Sequence, residues 1–261
     1  MKADYHVHTD LSDDSQCPMR EMVARALELG LDEIAITEHV DYDAPYGSTC
    51  DYGQYFSELS KMRAATQGRL RIRAGMEFGV QVHTIPLFER DFREHPFDFI
   101  LLSNHQTDGK EFWTQEFQVG KTQDEYQRAY YEAILHVIRA YKNYSVLAHL
   151  DMIKRYDQRG DYPDEKILDI VEAILRQAIA DGKGIEFNTS FFKYGLKDTT
   201  PSRAILRLYR DLGGEILTLG SDAHDTARLA ERIEEMKSLL REIGFSYFCT
   251  FEAMRPIFHR L

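Results

Sequence analysis

The chain has 261 residues, a formal net charge of −11, 43% hydrophobic residues, 16 Gly, 7 Pro and 3 Cys. Ordinary apolar content at this length builds a substantial core without staples and excludes a disordered chain, and no apolar run nears the roughly 20 residues that span a bilayer. The acidic balance disfavours nucleic-acid and anionic-membrane partners, since either asks for a basic face. Met1-Lys2-Ala3-Asp4 runs straight into a strand-like segment with no leader pattern. Cys17, Cys50 and Cys249 are few, odd in number and widely spaced, as reduced thiols are. The expectation is a soluble cytoplasmic protein.

Short β-rich runs end near His6-Val7-His8, Ile34-Ala35-Ile36, Ala74-Gly75-Met76, Phe99-Ile100-Leu101-Leu102, Val146-Leu147-Ala148, Ile185-Glu186-Phe187 and Leu217-Thr218-Leu219. Each reads as a strand buried on both faces. Between them, amphipathic spacing predicts helices over 19–29, 125–141, 165–180, 202–212 and 227–243. Gly30, Asp181-Gly182 and Gly213-Gly214 supply stops. No repeat, linker or low-complexity tract divides the chain, so 1–261 is expected to be a single domain. Seven strand–helix alternations predict an α/β fold, a (β/α)7 barrel, with an open doubly wound sheet as the alternative. The tail over 245–251 reads as one more strand and is assigned no chemistry.

The ten histidines are the most informative feature. His6 and His8, two apart on the first strand, point to one face. His39, Glu77, His105 and His149 end the second, third, fourth and fifth strands, and Asp222 and His224 follow the seventh. One of Asp13 and Asp14 joins them from the loop after the first. In a parallel barrel the carboxyl ends of all strands share one face, where active sites are built. An isolated histidine at a strand end is usually a packing residue. Six of ten at the same end of predicted strands are read together as metal ligands. Imidazole and carboxylate suit Zn, Mn or Fe, and the supply is enough for two or three ions. His83, His95, His136 and His259 lack this placement and are read as structural. Dinucleotide, Walker-type, nucleophile-elbow and His-Glu-x-x-His signatures are absent.

His6-Val7-His8-Thr9, Thr37-Glu38-His39, Glu77, Asn104-His105, Ala148-His149-Leu150-Asp151 and Gly220-Ser221-Asp222-Ala223-His224 together resemble the ordered motifs of the polymerase and histidinol phosphatase (PHP) superfamily. The resemblance runs along the whole chain. Leu11-Ser12-Asp13-Asp14-Ser15, the stretch from His149 to Tyr156 and Glu186-Phe187-Asn188-Thr189-Ser190 resemble the monofunctional histidinol-phosphatases within it. It implies a distorted seven-stranded barrel with a trinuclear centre of divalent ions (Zn, Mn or Fe) at the carboxyl ends of its strands. By position, the resemblance places His6, His8, Glu77 and Asp222 on one ion, Glu77 with His105 and His149 on a second, and Asp14, His39 and His224 on the third. Asp14 falls just before Ser15, as the family spacing asks. Asp13 stands where the family often carries Gly, so an exchange of roles stays open. The implied reaction is hydrolysis of a small phosphomonoester, L-histidinol phosphate, to L-histidinol and phosphate by metal-activated water. Asp222 is the candidate proton acceptor.

A phosphomonoester also needs positive charge beyond the metal ligands. Arg155, past His149, and Lys193, past Ser190, are the candidate substrate-binding cations. Asp108, Glu111 and Trp113, after His105, are candidates for reading an ammonium and an imidazole. Three alternatives remain. A PHP-type nucleotide phosphoesterase or nuclease is disfavoured by the acidic balance. An amidohydrolase-type barrel would place a lysine where Ser103-Asn104-His105 stands. A non-catalytic metal-binding scaffold is expected to have lost ligands, and every ligand position here is filled.

Overall fold

The computed structural model describes residues 1–42 and 49–261. Strands β1 (Ala3–Val7), β2 (Glu33–Val40), β3 (Arg71–Gly79) and β4 (Phe99–Ser103) are followed by a small antiparallel hairpin, β5 (Gln106–Thr107) and β6 (Lys110–Glu111). Then come β7 (Val146–Leu147), β8 (Gly184–Asn188) and β9 (Leu217–Gly220). Helices α1 (Met19–Glu28), α2 (Tyr52–Thr66), α3 (Ile85–Glu94), α4 (Gln123–Ala140), α5 (Leu168–Ala180), α6 (Arg203–Asp211) and α7 (Ile233–Ile243) alternate with the long strands. The sheet order is β1-β2-β3-β4-β7-β8-β9, and the pairings within it are parallel. A doubly wound sheet needs a reversal of strand order. Here the order follows the chain and the last strand returns to the first, so the structure is a distorted (β/α)7 barrel.

Closure occurs at the carboxyl ends of β1 and β9. Val7 bridges Ala223, the His8 N–H donates to the Ala223 carbonyl (2.9 Å), and the Asp222 N–H donates to the His6 carbonyl (2.9 Å). Asp4, wholly buried on β1, reinforces this seam. Its carboxylate accepts the Ser221 N–H (2.9 Å), the Ser221 hydroxyl (2.5 Å) and the Ala230 N–H (2.8 Å). Burial pushes the Asp4 carboxyl up to about 6, against the pull of those bonds.

The same seam explains one difference from the expected elements. The last helix begins at Ile233 rather than at 227. The preceding turns hold Ala230 and Arg232 at positive φ (56° and 57°), and the Ala230 amide is committed to Asp4. Helices α2 and α3 lay outside the expected set. Only Tyr55, Leu59 and Thr66 of α2 are buried, too thin a stripe to announce a helix. Helix α4 is well announced by its Thr122/Glu125 capping box and a stripe running from Tyr126 to Ile138.

The tail forms an antiparallel hairpin, β10 (Tyr247–Glu252) and β11 (Arg255–Arg260), packed against the amino-terminal end of the barrel. The Phe251 N–H donates to the Tyr5 hydroxyl (2.8 Å), and the Met254 N–H donates to the carbonyl of Asp98, just before β4 (2.9 Å). Asp4→Ala would leave three backbone donors at the seam, those of His6, Ser221 and Ala230, without this acceptor. It is expected to cost about 2–4 kcal/mol, read by urea unfolding of metal-free protein; a change under about 1 kcal/mol would place the closure energy elsewhere.

Candidate metal centre

Every histidine expected to ligate reaches one point at the carboxyl ends of the strands, and Glu77 occupies its middle. Glu77 ends β3 and is fully buried. Its Oε2 lies 3.0 Å from His6 Nε2, 3.3 Å from His8 Nε2 and 3.1 Å from His39 Nδ1. Its Oε1 lies 3.1 Å from His105 Nε2 and 2.9 Å from His149 Nε2. Asp222 Oδ1 stands 3.7 Å from His6 Nε2, 3.8 Å from His8 Nε2 and 3.7 Å from His224 Nδ1. Asp14 Oδ2 is 2.9 Å from His224 Nε2 and 3.6 Å from His39 Nε2. Asp13 lines the adjacent cavity, while Asp14 is the acid that meets the two imidazoles.

These contacts suit a cation better than they suit one another. His8 Nε2, His39 Nδ1 and His224 Nε2 are buried and face carboxylate oxygens, yet make no hydrogen bond. An imidazole lone pair and a carboxylate are both electron donors, and a divalent ion is what such a pair can share. Among the described residues, the ligand atoms of four sets lie within 4.8 Å of one another: His6/His8/Asp222, His6/Glu77/His149, His39/Glu77/His105 and His8/His39/His224. Burial opposes ionisation of Asp222, but His6 and Arg155 hold its carboxyl well below the ordinary range. Burial opposes ionisation of Asp14 as well, and the neighbouring His224 and His39 imidazoles hold its carboxyl low.

Outer groups orient these ligands, and sequence reasoning assigned them no role. The His6 Nδ1–H donates to Glu186 Oε1 (2.7 Å), and the His105 Nδ1–H donates to Asp41 (2.9 Å). Ser12 Oγ lies 3.2 Å from His8 Nδ1 and donates to buried Glu38 (2.5 Å), which also takes the Thr9 hydroxyl (2.6 Å). Two glycines make room for this layer. A Cβ on Gly79 would stand 1.7 Å from Asp41 Oδ1, and one on Gly220 would stand 2.1 Å from Glu186 Oε1. A glycine inside a strand signals such a close backbone approach, and that was the available clue.

Beside the cluster opens a cavity of about 350 Å³. Arg155 lines it, buried, with Nη2 donating to Ser190 Oγ (2.7 Å) and pairing with Asp222 Oδ2 (3.0 Å). Its guanidinium lies 4.6 Å from the Tyr194 ring centroid. Glu111 and Trp113 also line the cavity, with Asp13, Asp14 and Asp41. Burial, then the charges of Glu116, Asp41 and Asp13, push the Glu111 carboxyl up. Two other candidates lie elsewhere. Lys193 is exposed, 5.4 Å from the outer Tyr194 ring, and is not among the lining residues. Asp108 lines a separate cleft against α4. His95 stacks on Tyr52 (4.1 Å) and His259 Nε2 bonds Thr250 Oγ1 (2.8 Å), both far from the cluster in role.

A parallel barrel with imidazoles and carboxylates gathered at its strand ends defines a metal-dependent barrel hydrolase. The PHP domain model matches residues 4–190. The histidinol-phosphatase of Lactococcus lactis subsp. lactis is 31% identical over 261 residues, covering 97% of this chain and 96% of that one. The probable histidinol-phosphatase of Thermotoga maritima is 28% identical over 246 residues, covering 94% and 93%. The crystal structure of the Lactococcus lactis histidinol phosphate phosphatase, complexed with zinc, L-histidinol and phosphate, matches with a TM-score of 0.90 at 31% identity over 98% of each chain. The chain belongs to the PHP domain family.

Asp14→Asn is expected to lower the metal content of purified protein by about one ion, while Asp13→Asn leaves it unchanged. Elemental analysis of the two variants decides this, and the reverse pattern would exchange the two aspartates.

Proposed function

We propose that this chain is a phosphoric monoester hydrolase that converts L-histidinol phosphate to L-histidinol and phosphate, and that all of 1–261 works as one catalytic unit. The observation that carries the reading is the junction of the Glu77-centred ligand cluster with Arg155 in one cavity. The kinship with the Lactococcus lactis enzyme, whose complex contains zinc, L-histidinol and phosphate, points to the substrate.

Three divalent ions, Zn, Mn or Fe, are assigned to the cluster. His6, His8, Glu77 and Asp222 hold the first; Glu77, His105 and His149 the second; Asp14, His39 and His224 the third. The two oxygens of Glu77 support a bridging place between the first two ions, since Oε2 meets His6 and His8 while Oε1 meets His105 and His149; Oε2 also meets His39, toward the third. Bound there, the ions neutralise phosphoryl oxygens and bring the pKa of water toward neutrality. Asp222 takes the proton of the attacking water, and its other oxygen, Oδ2, is oriented by Arg155 at 3.0 Å. Arg155 holds the phosphoryl group in line, with Ser190 fixing its guanidinium.

The cavity is polarised. Its lining combines one guanidinium, Arg155, with the carboxylates Asp13, Asp14, Asp41, Glu111 and Asp222. A substrate with a dianionic phosphate and a cationic amino alcohol fits that polarity, and Trp113, Tyr156 and Tyr194 supply aromatic surface for its imidazole. The same acids repel a nucleic-acid backbone, so the nuclease alternative is not favoured. Lys193, exposed beside Tyr194, is not among the cavity-lining residues and is assigned no contact with the phosphoryl group. No helix among the described residues is long and apolar enough to cross a membrane.

Phosphate release by metal-loaded protein tests the reading. Histidinol phosphate should exceed nucleotides and sugar phosphates in kcat/KM by at least about 100-fold; equal rates across the panel would sink the substrate assignment. Arg155→Ala should lower kcat/KM by about 100-fold with metal content unchanged, and wild-type kinetics would remove it from the site. Glu111→Gln should raise KM for histidinol phosphate about tenfold and leave a simple alkyl phosphate, which carries no ammonium group, unaffected.

A further inference from the structure

Between β8 and β1 lies β9, and the Glu186 side chain crosses it. Glu186 belongs to β8, His6 belongs to β1, and the two meet only over Gly220 of β9. A Cβ on Gly220 would stand 2.1 Å from Glu186 Oε1 and 2.5 Å from His6 Cβ. The other carboxylate oxygen, Oε2, accepts the backbone N–H of His149 (2.8 Å) and the side-chain amide of Asn188 (3.1 Å). His149 has φ of 20°, an uncommon backbone for a residue with a side chain. One buried carboxylate therefore touches the imidazole of one candidate ligand and the peptide of another.

We propose that Glu186, reaching through the gap at Gly220, is a positioning residue that sets His6 and His149 for their ions. This rests on the reading that both histidines ligate. The chemistry is that of a tautomer lock. The carboxylate accepts only, so the His6 proton resides on Nδ1 and the Nε2 lone pair is turned toward Glu77 and Asp222. A carboxamide cannot reproduce this. With its NH2 against His6 Nδ1, the ring proton moves to Nε2 and blocks ligation. With its oxygen there, the NH2 faces the His149 N–H, donor against donor.

Asn188 extends the same network. Its Oδ1 accepts the Ser190 hydroxyl (2.5 Å), and Ser190 Oγ accepts from Arg155 (2.7 Å). The ion-holding and phosphate-holding parts of the site thus share one chain of hydrogen bonds, but the two ends should separate in kinetics. Glu186 acts on metal retention, and Ser190 acts on the arginine.

The test compares wild type, Glu186→Gln and Gly220→Ala, the latter keeping the carboxylate while filling its passage. Metal-free proteins are titrated with Zn(II) against a chromophoric chelator, with bound ions counted by elemental analysis. Both variants should bind the weakest-held ion about 10- to 100-fold less tightly. At saturating Zn(II), kcat should fall with little change in KM, whereas Ser190→Ala should raise KM at full metal content. A merely structural role would lower the melting temperature of metal-free protein and leave Zn(II) affinity per folded molecule unchanged, which overturns the proposal. Should both variants fail to fold, 15N NMR of zinc-loaded wild type decides. A hydrogen-bonded Nδ1–H on His6 supports the lock, and an Nε2–H tautomer overturns it. Wild type that takes up no Zn(II) and releases no phosphate would instead remove the functional reading itself.

Discussion

A single buried carboxylate, Glu77, organises the molecule. Five imidazole nitrogens lie within 3.3 Å of its two oxygens, and Glu77, His6 and His8 are wholly buried. Taking so many titratable groups out of water is costly unless their charges and lone pairs find partners. Divalent ions meet that demand from inside, and the outer carboxylates Glu186, Asp41 and Glu38 meet it from outside. The barrel supplies the geometry, because only a closed parallel sheet brings strand ends from the whole chain to one place.

The outer layer is as much a part of the design as the ligands. Each outer acid reaches its target by a different route: across a strand for Glu186, from the end of β2 for Asp41, and through Ser12 for Glu38. In the first two cases the passage is a glycine in an adjacent strand. Backbone conformation does not demand glycine at these positions, since neither Gly79 nor Gly220 has positive φ. What they provide is empty space next to a carboxylate.

Much of this is legible in the sequence, and for a physical reason. Strand alternation and histidines at strand ends are local patterns, so the seven strands and the clustering of the candidate ligands from His6 to His224 could be read directly. The features that escaped depend on contacts between distant segments. Glu186 and Asp41 look like ordinary acids until the fold sets them against His6 and His105. Helix α2 buries too few residues to betray itself, and the start of α7 is postponed by an amide given to Asp4. Lys193 shows the converse: it follows the motif, but its exposed side chain lies beside Tyr194 and is not among the residues lining the cavity. Motif proximity specifies a loop, and only packing specifies which way a long cation turns.

The seam between β1 and β9 also governs when the site comes into being. His6 and His8 lie near the start of the chain and Asp222 and His224 near its end, and they meet across the bridge from Val7 to Ala223. A nascent chain has exposed two imidazoles long before their carboxylate partners are synthesised. The complete ligand set is therefore among the last features to form, dependent on the most non-local pairing in the sheet. An ion held by the proposed ligands would tie the first strand to the last, so metal binding and closure of the barrel would reinforce each other.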